Sequence, residues 1–213
     1  MMLLKGYPVI QWVIERTKKA ITLDAVVLAT TTKPEDDVLC GIARDLNVDL
    51  FRGSENDVLE RYYLAARMYS ADVIARICAD SPFVDSSEID KIVLHHAASH
   101  ADYSFNHMEG LGNQYPNGFG VEVLDYEILE FLASTATSEK HREHVTSYVW
   151  DNLSRFHVQT IKAEPSIARP ELKLDLDTAE DLAFLQRLAE HAPDDVSSWS
   201  AVEIIQVCRN MLR

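Results

Sequence analysis

Apolar positions recur every three or four residues from Pro8 to Ala20, with Val9, Trp12 and Val13 on one face and Glu15, Lys18 and Lys19 on the other. That spacing predicts an amphipathic helix, and Pro8 suits its first turn. AVVLATT, residues 25–31, is instead a continuous β-branched run, the pattern of a strand buried on both faces in a parallel sheet. A helix over 35–46 and a short strand at 48–51 follow. Ser54 and Asp57 have capping-box spacing before VLERYYLAARMY, and Asp85 and Glu88 repeat it before IDKIVLHHAA. Between these helices VIARICAD, 73–80, reads as a third buried strand, and 103–105 as a further strand. Residues 106–120, rich in Gly, Asn, Pro and His, have no period and read as a functional loop. Beyond it come a short strand VEVL, helices over DYEILEFLAS and HREHVTSYVWDN, and a strand in FHVQTIKA. Leu172, Leu174 and Leu176 alternate with charge, predicting a half-buried strand. Asp177 or Thr178 then caps a helix through DLAFLQRLAEH, and a break at PDDVSSWS precedes the tail helix AVEIIQVCRNML.

This alternation predicts a three-layer α/β domain over residues 1–192, doubly wound on a mainly parallel sheet, with 193–213 as a C-terminal tail helix. The chain has 213 residues, 47% of them hydrophobic, which excludes a disordered chain. Its formal charge of −14 opposes non-specific binding to nucleic acid or an anionic membrane. An anionic small substrate is not excluded, because a few arginines or a divalent ion reverse the field within one cleft. Cys40, Cys78 and Cys208 are widely spaced and read as reduced thiols without a CxxC signal. With no apolar run long enough to span a bilayer and no signal-peptide order at the start, the expectation is a soluble cytoplasmic protein.

In open α/β sheets ligands bind beyond the carboxyl ends of the strands, so charges placed there are informative. Asp80 stops the apolar strand before Ser81-Pro82, and Asp177 follows KLDL directly before a helix. Two such carboxylates can share one divalent cation over a nucleotide's phosphates; the alternative is that each caps the segment after it. Arg61, Arg76 and Arg142 supply forks that match phosphate or carboxylate. Arg76 shares a face with Asp80 inside an apolar strand, either as a structural ion pair or as a ligand contact. Glu122, between Val121 and Val123, is either a rim charge or a substrate contact. His95, His96 and His100 read as an exposed helix face, and His141 and His144 lack the HExxH zinc arrangement. Asp175 and Asp177 hint at an aspartyl-phosphate pair, but no mobile-cap pattern accompanies them. There is no GxGxxG or GxxxxGK[ST] loop.

Taken in order, GYPVIQWVIERTKKA, VVLATTTKPEDD, DVLERYYLAA, RICADSPFVDSSEIDKIV, GVEV, REHVTSYVW and LDLDTAEDLAFL resemble the sugar-acid cytidylyltransferases. The likeness is greatest to the branch named after spore coat polysaccharide biosynthesis, akin to the synthetases that activate 3-deoxy-manno-octulosonate and acylneuraminates. It covers roughly residues 5–190. The resemblance implies a nucleotide-diphospho-sugar transferase-like fold, homodimers, and transfer of CMP from CTP to a sugar acid with release of pyrophosphate and a need for Mg2+. It matches Asp80 and Asp177 to the two metal aspartates. The segment reads Leu176-Asp177-Thr178-Ala179-Glu180-Asp181 where the family usually has V-D-T-P-E-D. It matches Arg142 and His144 to the sugar and phosphate side of the cleft, leaving Arg61, Arg76 and Glu122 as further substrate contacts. Members begin with an apolar strand and a loop of the form A-R-x-x-S-x-R-L-P-x-K, whereas Met1 to Lys5 alone precede Gly6 here. A sheet without its first central strand is therefore expected. The alternative function is a catalytically inactive partner subunit or sugar-binding protein.

Overall fold

The computed structural model describes residues 1–107 and 111–212, so the predicted loop at 106–120 lies partly outside the described residues. A hairpin of β1 (Leu3–Leu4) and β2 (Tyr7–Pro8) leads into α1 (Val9–Thr17). There follow β3 (Val27–Thr31), α2 (Asp37–Asp45), β4 (Asp49–Gly53), α3 (Val58–Met68), β5 (Val73–Arg76), α4 (Ser86–Ser99) and β6 (Tyr103–Phe105). The second half contains β7 (Glu122–Asp125), α5 (Tyr126–Thr135), α6 (Glu139–Glu143), α7 (Ser147–Asp151), β8 (Val158–Thr160), α8 (Ala179–Ala189) and α9 (Ala201–Met211).

Two helical layers enclose the strands. Along β7, Val121 and Val123 face a core built by Ile10, Val13 and Ile14 of α1 and Ile89 and Ile92 of α4. Leu124 faces the opposite core, with Leu59 of α3 and Leu129 and Leu132 of α5. A third core joins Trp12, Phe83, Leu185, Leu188, Ile204 and Ile205, so the tail helix α9 shares its packing with α8 and the amino-terminal hairpin. Asp85 ties these parts together. It caps α4 through Ser87 N (2.9 Å), accepts from Ala201 N at the start of α9 (2.7 Å), and lies 3.8 Å from buried Arg16.

The strands form a layered α/β arrangement with parallel pairs, as expected, but the sheet is divided. β3 and β4 pair in parallel by themselves. The larger sheet runs β5-β7-β6-β8; β6 and β8 are parallel, and β7 opposes both its neighbours. Leu28 of β3 and Ala75 of β5 join the same core, so the helices span both sheets. The second edges of β3 and β5 carry no ladder partner among the described residues. Residues 27–29 and 74–76, whose sequences suit doubly buried strands, are accordingly only half-buried.

Four expectations need correction. β5 stops at Arg76, because its register with β7 ends at Arg76↔Glu122. Leu172 and Leu174 are buried as their alternation predicts, yet among the described residues they pair with no strand, and one bridge joins Lys173 to Asn117. Asp57, not Ser54, caps α3 by accepting from Glu60 N. His96 is buried, with Nδ1 2.9 Å from Ser104 Oγ and Nε2 3.2 Å from Asp125 Oδ1, rather than lying on an exposed face.

Candidate functional site

Beyond β5 the chain runs to Asp80 and turns at Ser81, whose Oγ donates to Asp80 Oδ1 at 3.0 Å. From nearly one hundred residues away, Leu176 N donates to Asp80 O at 3.0 Å. This bond brings Asp175 and Asp177, the neighbours of Leu176, to the carboxyl end of β5. Asp177 stands just ahead of α8, where Thr178 forms a reciprocal capping box with Asp181. Lys173 bonds Asp181 and lies 2.9 Å from Asp177 Oδ2. Its hydrogen bond holds Asp181 well below the usual carboxylate range. Asp175 Oδ2 accepts from Asn117 Nδ2 at 3.1 Å, while its buried Oδ1 has no hydrogen-bond partner among the described residues. Burial raises the pKa of Asp175, and the charges of Asp177 and Asp80 push the same way.

Carboxylate oxygens are the donor type a hard divalent cation takes, although Lys173 already lies against Asp177 and Asp181. A backbone bond joins the Asp80 and Asp177 segments, and Asp175 Oδ1 accepts no hydrogen bond among the described residues, its one charged neighbour there being Lys173 Nζ at 3.9 Å. No group of three or more His, Cys, Asp or Glu side chains among the described residues is placed to hold a metal ion, so a magnesium ion there would take most of its shell from substrate oxygens and water.

The second cluster surrounds Glu122, which is only 3% exposed. Arg76 faces it across the β5–β7 register and forms an ion pair with its Oε2. Tyr103 OH and Thr146 Oγ1 each donate to Oε1 at 2.5 Å, and His107 Nε2 lies 3.8 Å from it. Burial opposes the charge on Glu122, but Arg76, His107, Thr146 and Tyr103 outweigh it and hold the pKa below the usual value. The Arg76 guanidinium also lies over Tyr62, 5.8 Å from the ring centre.

Arg142 is apart from both clusters. Its Nε and Nη2 donate to Asp57 Oδ2 at 2.7 and 2.5 Å, and Nη1 donates to Ala133 O, clasping the start of α3 to α5. His144, next to α6, is exposed. Arg61 Nη1 donates to Ser54 O at 2.6 Å, and its buried Nε has no partner among the described residues. The structure thus brings Asp80 to Asp177 and Arg76 to Glu122, and it engages Arg142 with Asp57. Asp175, Lys173, His107, Tyr103 and Thr146 were missed as site residues. Of these, Asp175 carried a sequence signal, as half of the aspartyl-phosphate hint with Asp177, and His107 lay within the 106–120 segment read as a functional loop.

A cavity of about 390 Å³ opens at the other end of β3 and β4, lined by Lys18, Asp24, Asn47 and Asp49. Its place at the amino-terminal end of parallel strands separates it from this chemistry.

The cytidylyltransferase family pattern matches residues 1–203. The chain belongs to the cytidylyltransferase family. It is 35% identical over 185 residues to MJ1063 of Methanocaldococcus jannaschii, covering 86% of this chain and 73% of that protein. It is 29% identical to the spore coat polysaccharide biosynthesis protein SpsF of Bacillus subtilis, covering 85% of this chain and 75% of the relative. A solved cytidylyltransferase from Leptospira borgpetersenii superposes with a TM-score of 0.90 at 27% identity, covering 99% of this chain and 86% of the other. The CMP:2-keto-3-deoxy-manno-octonic acid synthetase solved with CTP superposes at 0.65 with 12% identity, covering 89% and 90%, and shows a shared fold. No helix among the described residues is long and apolar enough to cross a membrane.

Proposed function

We propose that this cytidylyltransferase-family chain transfers CMP from CTP to a sugar acid or related sugar for glycan precursor synthesis, acting as a homodimer with Mg2+. The observation that carries the reading is the bond from Leu176 N to Asp80 O, which gathers carboxylates from two distant segments at the carboxyl end of β5. Family membership and the name of the spore coat relative support the sugar class.

In this reading Asp80 and Asp177 would hold the magnesium ion. When bound, the ion supplies positive charge against the phosphate oxygens. The acceptor hydroxyl oxygen bonds to the α-phosphorus while the bond from that phosphorus to the oxygen bridging the β-phosphate breaks. The hydroxyl proton passes to solvent and pyrophosphate leaves. Arg76 and Glu122 belong to the acceptor side. Arg142 acts through Asp57 by fixing the segment that also carries His144. Pyrophosphate release from CTP and Mg2+ in the presence of 3-deoxy-manno-octulosonate, an acylneuraminate or a neutral hexose tests this reading. Release with at least one acceptor supports it, and release with none refutes it for this chain.

The divided sheet favours a second reading, a partner subunit without catalysis. The unpaired edges of β3 and β5 are surfaces to which an extended segment can add. That reading predicts a folded chain that fails to bind CTP alone.

A further inference from the structure

One ammonium group faces three carboxylates beyond the carboxyl end of β5. Lys173 Nζ bonds Asp181, lies 2.9 Å from Asp177 Oδ2 and stands 3.9 Å from Asp175 Oδ1. No other basic side chain among the described residues forms an ion pair with Asp80, Asp175, Asp177 or Asp181. Like charges gathered this closely repel, so Lys173 is what the described residues supply to hold them together.

The three contacts are unequal. Asp181 is fixed at the start of α8, where its Oδ2 also accepts from Thr178 N (2.8 Å) and Asp177 N (3.1 Å), and its side chain is 15% exposed. Asp175 Oδ2 is engaged by Asn117 Nδ2 at 3.1 Å, and its Oδ1 is the oxygen that faces Lys173. The Asp177 side chain is 60% exposed, and Lys173 is its one ion-pair partner among the described residues. The contact on Asp177 is therefore the weakest to hold and the easiest to give up. Lys173 can give it up without disturbing the backbone. Asn117 N donates to Leu172 O and Leu174 N donates to Asn117 O, each at 2.9 Å, which pins the chain on both sides of Lys173. Its own side chain is 40% exposed on a flexible four-carbon stem.

We propose that Lys173 is a tethered stand-in for the divalent cation: its Nζ holds Asp177 beside Asp175 when no such ion is bound, and leaves Asp177 when Mg2+ binds, while Asp181 retains it. The assignment rests on the cytidylyl-transfer reading and adds a positioning residue to it. Lys173 keeps the acidic segment in place ahead of the ion, at the cost of competing with the ion for Asp177.

The test is calorimetric titration with MgCl2, without nucleotide, of the parent, Lys173→Met and Lys140→Met, the last removing the same charge from an ion pair with Asp151. In parallel, NMR follows the Lys173 ε-methylene signal of the parent, identified by its loss in Lys173→Met. Lys173→Met should bind Mg2+ about fivefold more tightly than the parent, and Lys140→Met should match the parent. Mg2+ should move the parent's Lys173 signal over the same concentrations. Lys173→Gln serves as a second variant should Lys173→Met fail to fold, and it should tighten Mg2+ binding in the same direction. Affinities that are equal or unmeasurable in all the chains overturn the assignment, as does a Lys173 signal that stays still while Mg2+ saturates its site. If the folded parent still binds CTP in a Mg2+-dependent way, that failure belongs to the assignment alone. If no chain binds Mg2+ even with CTP present, the underlying reading falls with it.

Discussion

Replacing Asp85 with alanine removes one buried carboxylate that supports three helices at once. Its Oδ1 accepts from Ser87 N (2.9 Å), Ser87 Oγ (2.5 Å) and Glu88 N (3.3 Å), capping α4. Oδ2 accepts from Ala201 N at the start of α9 and faces Arg16 of α1. Loss of the cap costs about 1 kcal/mol. The orphaned Ala201 N–H adds about 1–3 kcal/mol. Arg16 is left buried without its counter-charge, although it still donates to the carbonyls of Val84 (2.7 Å) and Val196 (2.6 Å). Burial already draws its pKa down to about 10 against the opposing pull of Asp85. Because these losses overlap, the total is about 3–5 kcal/mol, the range for breaking a buried pair on one side. For a chain of this size that lowers Tm by about 10 °C. Urea unfolding of the parent, Asp85→Ala, Arg16→Met and the double variant measures both the loss and the coupling. A loss for Asp85→Ala below about 1 kcal/mol, or additive single effects, would refute the hub.

Three further outcomes follow from the packing. Gly118 has φ +93°, and a Cβ there would meet Leu174 C at 2.5 Å, so Gly118→Ala should cost about 2 kcal/mol or more and loosen the Asp175–Asp177 segment; an unchanged urea midpoint contradicts this. His107 has its folded pKa lowered below 6.5 by burial, so its contribution to stability is present above pH 6.5 and lost as pH falls through the folded value. His107→Gln should therefore flatten the fall in stability just below pH 6.5, and an identical pH profile would show the shift to be absent. Hydrogen exchange should be faster at the unpaired edges of β3 and β5 than in β7, which has a partner on each side; equal protection would mean that the sheet is continuous in solution.

The helices were legible because their apolar spacing is local: α1 and α3 lie where periodicity puts them, and α8 starts at its expected cap, Thr178. Strand limits were less legible, since a strand ends where its partner does. Apart from Arg76, VIARICAD is apolar to Ala79, yet its register with β7 ends at Glu122. The LKLDLD alternation correctly marked Leu172 and Leu174 as buried, but alternation does not reveal whether a neighbouring strand exists. Asp80 and Asp177 could be singled out because each ends an apolar run ahead of a turn or helix. The partners of the arginines could not, because Asp57 is 85 residues from Arg142 and Glu122 is 46 from Arg76. His96 was misread because its two partners come from β6 and the start of α5, outside its own helix.

The central claim is that Asp80 and Asp177 form a magnesium-dependent CTP site in this chain. Calorimetric titration with CTP, with and without Mg2+, tests it on the parent, Asp80→Asn and Asp177→Asn, with circular dichroism confirming that each is folded. The account predicts binding by the parent that requires Mg2+ and is lost in both variants. A folded parent that binds no CTP, or binding that survives unchanged in both variants, would contradict it.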